Sequence, residues 1–204
     1  MAALIPSDSE AVEAAFDAAQ TRTRAPIGCV LAEASSDYFV PPLLWSGLIT
    51  LATPWPLLVF TRLSAERVFI AQLVVCLVAL AVFSLRPLRL LLTPGSARRA
   101  HAHRAALVQY AVRGLDRAAG QNGVLIYVSL AEHYARVIAG SDACRVVSAA
   151  QWQGLIDALG ADLAANGTKA ALTAAAARCA DLLAREFPPD PAAAPPHGHR
   201  FHMV

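Results

Sequence analysis

From residue 123 to residue 139 the chain reads GVLIYVSLAEHYARVIA. Gly123 to Leu130 is a short, near-continuous apolar run of the kind that fills the middle of a sheet, where both faces are covered. Ala131-Glu132-His133 offers a polar turn, and Tyr134 to Ala139 follows with a period-2 pattern that stops at Gly140. This strand–turn–strand decides the fold, because it demands a sheet with an antiparallel pair and partners to bury it. Upstream, Pro26 introduces Ile27, Cys29 and Leu31 alternating with Gly28, Val30 and Ala32, which reads as a second buried strand. Between the two lies Ser96 to Ala119, with Leu107, Ala111, Gly114, Leu115 and Ala118 on one helical face and Gly120 as terminator. Strand, helix and strand can close as a right-handed parallel crossover, with the last strand adding antiparallel. The expected fold class is α/β: a small mixed sheet with flanking helices.

The flanking helices carry their own start and stop signals. Ser7-Asp8-Ser9-Glu10 matches a capping box, and Val12, Ala15, Phe16 and Ala19 continue at helical spacing, predicting a helix over about 8–21. Ser148 and Gln151 repeat the signal ahead of a stripe of Trp152, Leu155, Ile156, Leu159 and Leu163, which ends near Asn166-Gly167. A last helix is expected over about 169–187, burying Leu172, Ala176, Cys179, Leu183 and Phe187 until Pro188-Pro189 stops it. Residues 188–204, rich in proline and poor in apolar side chains, read as a disordered tail.

Inserted between the first strand and the second helix are two apolar runs. Tyr38 to Thr61 contains no charge, and Val68 to Leu85 contains none either. A helix needs about 20 mostly apolar residues to cross the hydrocarbon core, and prolines such as Pro54 and Pro56 are tolerated where a kink or helix end absorbs them. The six-residue link Arg62 to Arg67 makes the pair antiparallel neighbours. The expected organisation is a helix and first strand over 1–37, a transmembrane hairpin over 38–92 with spans at about 39–61 and 68–88, the rest of the α/β domain over 93–187, and the tail. Trp45, Trp55, Phe60 and Phe69 belong to the membrane-spanning set, with the two tryptophans suited to headgroup depth.

Composition agrees with lipid contact. The apolar fraction is 56% and the charged fraction 16%, against about 45–50% and 25% in ordinary soluble proteins. The formal charge of +2 is too small to argue for nucleic acid, so no nucleic-acid partner is expected. Its distribution is uneven: residues 86 to 119 carry seven arginines against one Asp. Arg86, Arg89, Arg98, Arg99 and Arg104 lie just beyond the second run, where they would contact anionic lipid headgroups and hold that side in the cytoplasm. Both termini are thus expected in the cytoplasm. The N-terminus is polar and acidic, unlike a cleaved signal. Cys29, Cys76, Cys144 and Cys179 are scattered without metal spacing, as in a reducing compartment.

The quoted segment 123–139 also resembles the strand–turn–strand of TPM-domain proteins. Pro26 to Ala32 looks like that family's first strand. Ala149 to Pro188, with Trp152 and the closing ADLLAREFP (180–188), is similar to the helical end of a bacterial membrane branch whose domain is interrupted by a hydrophobic hairpin. The resemblance covers most of residues 8 to 188. It implies the same α/β fold and, for function, either assembly or repair of membrane complexes, or an acid-phosphatase or calcium-binding activity. Where the family often has an acidic residue ahead of the Gly-Val-Leu strand, this chain has Gln121-Asn122. That departure removes a carboxylate which metal-assisted phosphoryl chemistry would use.

The remaining candidate chemistry is sparse. Glu132 and Asp142 flank the strand pair, and Glu33 and Asp37 follow the first strand. Glu132, Asp142 and Asp37 are the candidate ligands for a divalent cation such as calcium, against a plain reading of Glu132 and His133 as a polar turn. His101 and His103 sit within the arginine cluster, and His197, His199 and His202 lie in the tail, where no rigid frame fixes a ligand set. Asn166-Gly167-Thr168 matches a glycosylation sequon but reads better as helix-end chemistry. Neither span contains an acid, Lys, Arg or His, which argues for anchoring over transport. The sequence favours an interaction or assembly module at the membrane, binding lipids and a membrane or cytoplasmic protein. The alternative is a metal-dependent, phosphatase-like hydrolase.

Overall fold

The computed structural model describes residues 6–35, 40–61, 64–85, 93–115, 122–189 and 200–204. They fall into two compact units, 1–35 with 99–204, and 36–98. In chain order the elements are α1 (Pro6–Gln20), β1 (Ile27–Ala32), α2 (Val40–Ala52), α3 (Pro54–Phe60), α4 (Ala65–Phe83), α5 (Gly95–Val112), β2 (Val124–Ser129), β3 (Tyr134–Ala139), α6 (Ser141–Val146), α7 (Ala149–Ala165), α8 (Gly167–Ala184) and β4 (Phe201–Met203).

The first unit is a four-stranded mixed sheet in the order β3-β2-β1-β4. β1 and β2 run parallel with Ile27 opposite Val124 and Ala32 opposite Ser129, and β2 pairs antiparallel with β3, Tyr127 opposite Arg136. Because side chains alternate across a strand, the sheet presents two different faces. Ile27, Cys29, Leu31, Val124, Ile126 and Val128 point into the larger core, where they meet Val12 and Phe16 of α1, Trp152, Leu155 and Leu159 of α7, and Leu172, Cys179 and Leu183 of α8. Val30, Ala32, Leu125 and Tyr127 point the other way, into a thinner core closed by Ala106 of α5 and by Leu115. The fold class is therefore α/β, a mixed sheet with flanking helices.

The tail corrects the sequence reading. Residues 190–199 lie outside the described residues, but Phe201 to Met203 form β4, parallel to β1 with Cys29 opposite Phe201. The Arg200 carbonyl accepts from Cys29 N–H at 2.7 Å, and Val204 exchanges bonds with Leu31 and Glu33 at 3.0 Å. Phe201 is buried and Arg200 pairs with Asp17. β1 would otherwise be a bare edge, and its unpaired backbone groups are what hold so short a strand in place. Phe201→Ala should lower unfolding stability by about 3 kcal/mol through lost burial and an unfilled space. A denaturant titration followed by Trp152 fluorescence in a Trp45→Phe/Trp55→Phe background measures it, and an unchanged midpoint would mean the tail is not docked.

Helix ends differ in smaller ways. α1 begins at Pro6, whose fixed φ suits a first helical turn, so Ser7 lies inside the helix. α5 ends at Val112 with Gly114 at φ 65°, six residues ahead of Gly120, because the left-handed position after a helix favours glycine. Ser148 and Gln151 do form the capping box, and Asn166 ends α7 with Gly167 at φ 80° opening α8 directly behind it. α6, a six-residue helix, has no counterpart in the sequence reading.

The second unit contains two helical stretches long and apolar enough to cross a membrane, Val40–Phe60 and Ala65–Phe83. At 1.5 Å per residue these are about 31 and 28 Å long, close to the hydrocarbon thickness of about 30 Å. The first is interrupted at Thr53 because neither Pro54 nor Pro56 can donate a backbone hydrogen bond, and Pro54 restarts the helix as α3. The second starts three residues before Val68, taking Ala65, Glu66 and Arg67 from the link into α4. Only 6% and 11% of the two apolar windows are buried, whereas a core helix of a soluble protein is mostly covered. Their hydroxyls are satisfied internally: Ser46 donates to Leu43 O at 3.1 Å, Thr50 to Ser46 O at 2.7 Å and Thr53 to Ile49 O at 2.8 Å.

Candidate functional site

In the parallel part of the sheet, β1, β2 and β4 end on one side, the place where α/β proteins collect polar groups. Glu132 sits there, in the turn after β2. Its carboxylate accepts the Ser35 backbone N–H at 2.9 Å and the Ser35 hydroxyl at 3.4 Å, and it also accepts from the Ser129 hydroxyl. The Ser35 and Tyr127 hydroxyls lie 3.0 Å apart. Burial pushes the Tyr127 phenol above its usual range, the bond with Ser35 pulls it back, and Glu132 and Tyr134 push it up further. The arrangement ties the end of β1 to the β2–β3 turn. His133 takes a left-handed conformation, φ 49°, as the closing residue of that turn.

The sequence-derived ligand set does not assemble. Asp142 pairs with Arg145 at 3.1 Å in α6, at the far end of β3 from Glu132. Six strand residues separate the two by about 20 Å, too far to share one ion. Asp37 lies outside the described residues, as do Arg86, Arg89, His197 and His199. Among the described residues no three His, Cys, Asp or Glu side chains are placed to hold a metal. Glu132 is committed to holding the turn, so Glu132→Ala should strand the buried Ser129 hydroxyl and the Ser35 N–H and cost about 2 kcal/mol. Glu132→Gln, which keeps an acceptor, should recover part of that. If Glu132 were instead a metal ligand, the wild-type midpoint alone would rise with millimolar calcium. A melt with and without calcium separates the two.

Cys29 and Cys179 are both fully buried, and burial raises both thiols, Cys179 to about 12. They behave as small apolar residues, with the thiolate disfavoured.

A second feature escaped the sequence reading. Between α7 and α8 runs a groove of about 330 Å³, floored by Gly154, Leu155 and Leu182 and rimmed by Arg178, Asp181 and Arg185. Gly154 opens onto it, and a Cβ at that position would meet nothing within 4 Å. Arg178 is held by Asp162 at 2.6 Å, and Asp181 pairs with Arg22. Glycine inside a helix costs about 1 kcal/mol against alanine. That was the one available signal, and it says nothing without knowing what faces it.

Trp45, Trp55, Phe60 and Phe69 are all exposed, between 46% and 84% of their full area. Arg98, Arg99 and Arg104 are on α5, with Arg99 and Arg104 exposed.

No family model matches the chain, and no curated protein matches it. Among solved structures it is similar to the NMR structure of the BA42 protein from the psychrophilic bacterium Bizionia argentinensis, with a TM-score of 0.61 and 14% identity over 98% of this chain and 95% of that one. At that identity the likeness concerns the fold alone.

Proposed function

We propose that the chain is a membrane-anchored, TPM-like α/β module that presents an interaction surface at the cytoplasmic face of a bacterial inner membrane and catalyses no reaction of its own. The observation behind this reading is the pair of apolar helices whose large side chains face outward, such as Leu51 at 77% and Leu77 at 68% exposure, in a segment inserted between two paired strands. Such a surface is far beyond what a soluble monomer exposes, and lipid covers it at no cost. β1 precedes the insertion and β2 follows it, yet they are hydrogen-bonded neighbours. Both ends of the inserted segment therefore belong on one side of a bilayer, which favours an even number of crossings. The arginines after the second helix favour the cytoplasm for that side.

The α7–α8 groove supports the interaction half of the reading, since an apolar floor with charged rims is how protein contacts are commonly built. The experiment is extraction of an N-terminally tagged chain from its native membranes. After an alkaline carbonate wash it should remain in the pellet, and in mild detergent it should migrate with a stoichiometric protein that Leu182→Arg releases. Recovery in the carbonate supernatant would defeat the anchor. A lone, monodisperse wild-type chain at native abundance would defeat the module.

A further inference from the structure

We infer that α5 is an interfacial helix that binds the surface of an anionic bilayer through its outward face. This rests on the membrane-anchored reading and names the lipid that the module recognises. α5 buries Ala106 in the thinner core beside Tyr110, and Ala102 one turn earlier is buried too, so the opposite side of the helix is the one turned outward. Those residues divide along the helix. Arg99, His101 and Arg104 are exposed in the first half, and Leu107, Val108 and Val112 are 45%, 59% and 74% exposed in the second. Arg104, Leu107, Val108 and Ala111 are spaced three and four apart and form one stripe, so charge and apolar surface share a face.

Leu107, Val108 and Val112 are left exposed on this face, and charge complementarity selects the occupant. From Arg67 to Leu115 the sequence holds seven arginines and no Asp or Glu. Neither Arg99 nor Arg104 is in an ion pair among the described residues. A one-sign stretch ending in exposed leucine and valine fits an anionic headgroup layer over an acyl boundary, the basic half meeting headgroups and the apolar half the boundary below them. The lipid is also at hand. α5 begins twelve residues after α4 ends, and twelve residues reach at most about 40 Å. Each arginine near an anionic surface contributes about a fivefold preference, so the exposed Arg99 and Arg104 together give about 25-fold.

The test uses the full chain reconstituted in lipid nanodiscs, with Cys76 and Cys144 changed to serine and an environment-sensitive fluorophore attached at Val108→Cys or, separately, at Leu73→Cys of α4. Discs contain either phosphatidylcholine alone or one third phosphatidylglycerol, each with a quencher-bearing lipid. The Leu73 probe should be quenched in both, which reports the hairpin in lipid. The Val108 probe should be quenched and blue-shifted in the anionic discs, and at least several-fold less in the neutral ones. Arg99→Gln/Arg104→Gln should abolish that difference and leave the Leu73 probe unchanged. Quenching at Leu73 with none at Val108 overturns the interfacial helix alone, and absence of quenching at Leu73 overturns the anchor beneath it. Equal quenching of Val108 in both lipids overturns the charge selection. A blue-shifted Val108 probe that the lipid quencher does not reach assigns the face to a protein and overturns the proposal as well.

Discussion

Gly123→Ala should unfold the α/β unit far more readily than Gly28→Ala or Gly154→Ala. A Cβ built at Gly123 would stand 2.4 Å from the Leu115 carbonyl oxygen and 3.1 Å from its carbon. Both are backbone atoms, so no rotamer change relieves the clash, and β2 must leave either Leu115 or its register with β1. The cost should reach or pass the roughly 3 kcal/mol upper range of ordinary overpacking. The gain from a stiffer unfolded chain returns less than about 1 kcal/mol. For a unit of this size that is a fall of about 10 °C in Tm, readable by Trp152 fluorescence in the Trp45→Phe/Trp55→Phe background. Two further glycines calibrate it. At Gly28 the nearest atoms are side-chain carbons of Leu115 and Leu125 at 3.3 and 3.4 Å, which can yield, so Gly28→Ala should cost much less. Gly154→Ala meets open space in a helix and should stabilise by up to about 1 kcal/mol. If all three variants melted alike, the packing of Leu115 over β1 and β2 would be wrong.

That contact also shows where sequence reasoning ended. β1 and β2 were legible because they are buried on both faces and carry that environment in their composition; β3 was legible as a strand, although it is half-buried along nearly its whole length instead of alternating. Leu115 was legible as apolar, but the reason Gly123 must be glycine lies in a carbonyl eight residues back, which no pattern exposes. β4 was illegible for another reason. Three residues are too few for a period, and what orders them is β1's vacant edge together with Asp17, which receives Arg200 from 183 positions away. The same limit governs the polar cluster. Glu132 is readable as a turn residue, whereas its partner Ser35 is 97 positions distant. Its expected companion Asp142 is ten residues along yet at the opposite end of a strand. Proximity in sequence misleads there because an extended strand separates residues faster than any other element. The groove between α7 and α8 follows the same rule, since one unremarkable glycine becomes a cleft only when a second helix walls it.

The largest effect expected of any substitution is on the hairpin, where two readings predict opposite results. Leu73 and Leu77 lie near the middle of α4, one turn apart, and are 50% and 68% exposed. If water bathes them, arginine at both positions removes an apolar surface and should improve solubility with no loss of fold. If lipid bathes them, each change moves a residue from about −0.5 to about +3 kcal/mol on the insertion scale, so the pair costs about 7 kcal/mol. Snorkelling offers little relief so far from either end of a 19-residue helix. Leu73→Arg/Leu77→Arg should therefore drop from the carbonate-resistant pellet by more than tenfold, into the supernatant or into degradation, while Leu73→Ala/Leu77→Ala stays within about twofold of wild type. The domain reports on itself in the same experiment. β1 and β2 can pair only if both ends of the insertion lie on one side, so a hairpin that enters with a single crossing would part the two strands and expose Cys29, now fully buried between the sheet and its helices, to thiol reagents. Failed insertion with Cys29 protected means the domain folds without its anchor; failed insertion with Cys29 reactive means that the anchor's topology and the sheet are one structural decision.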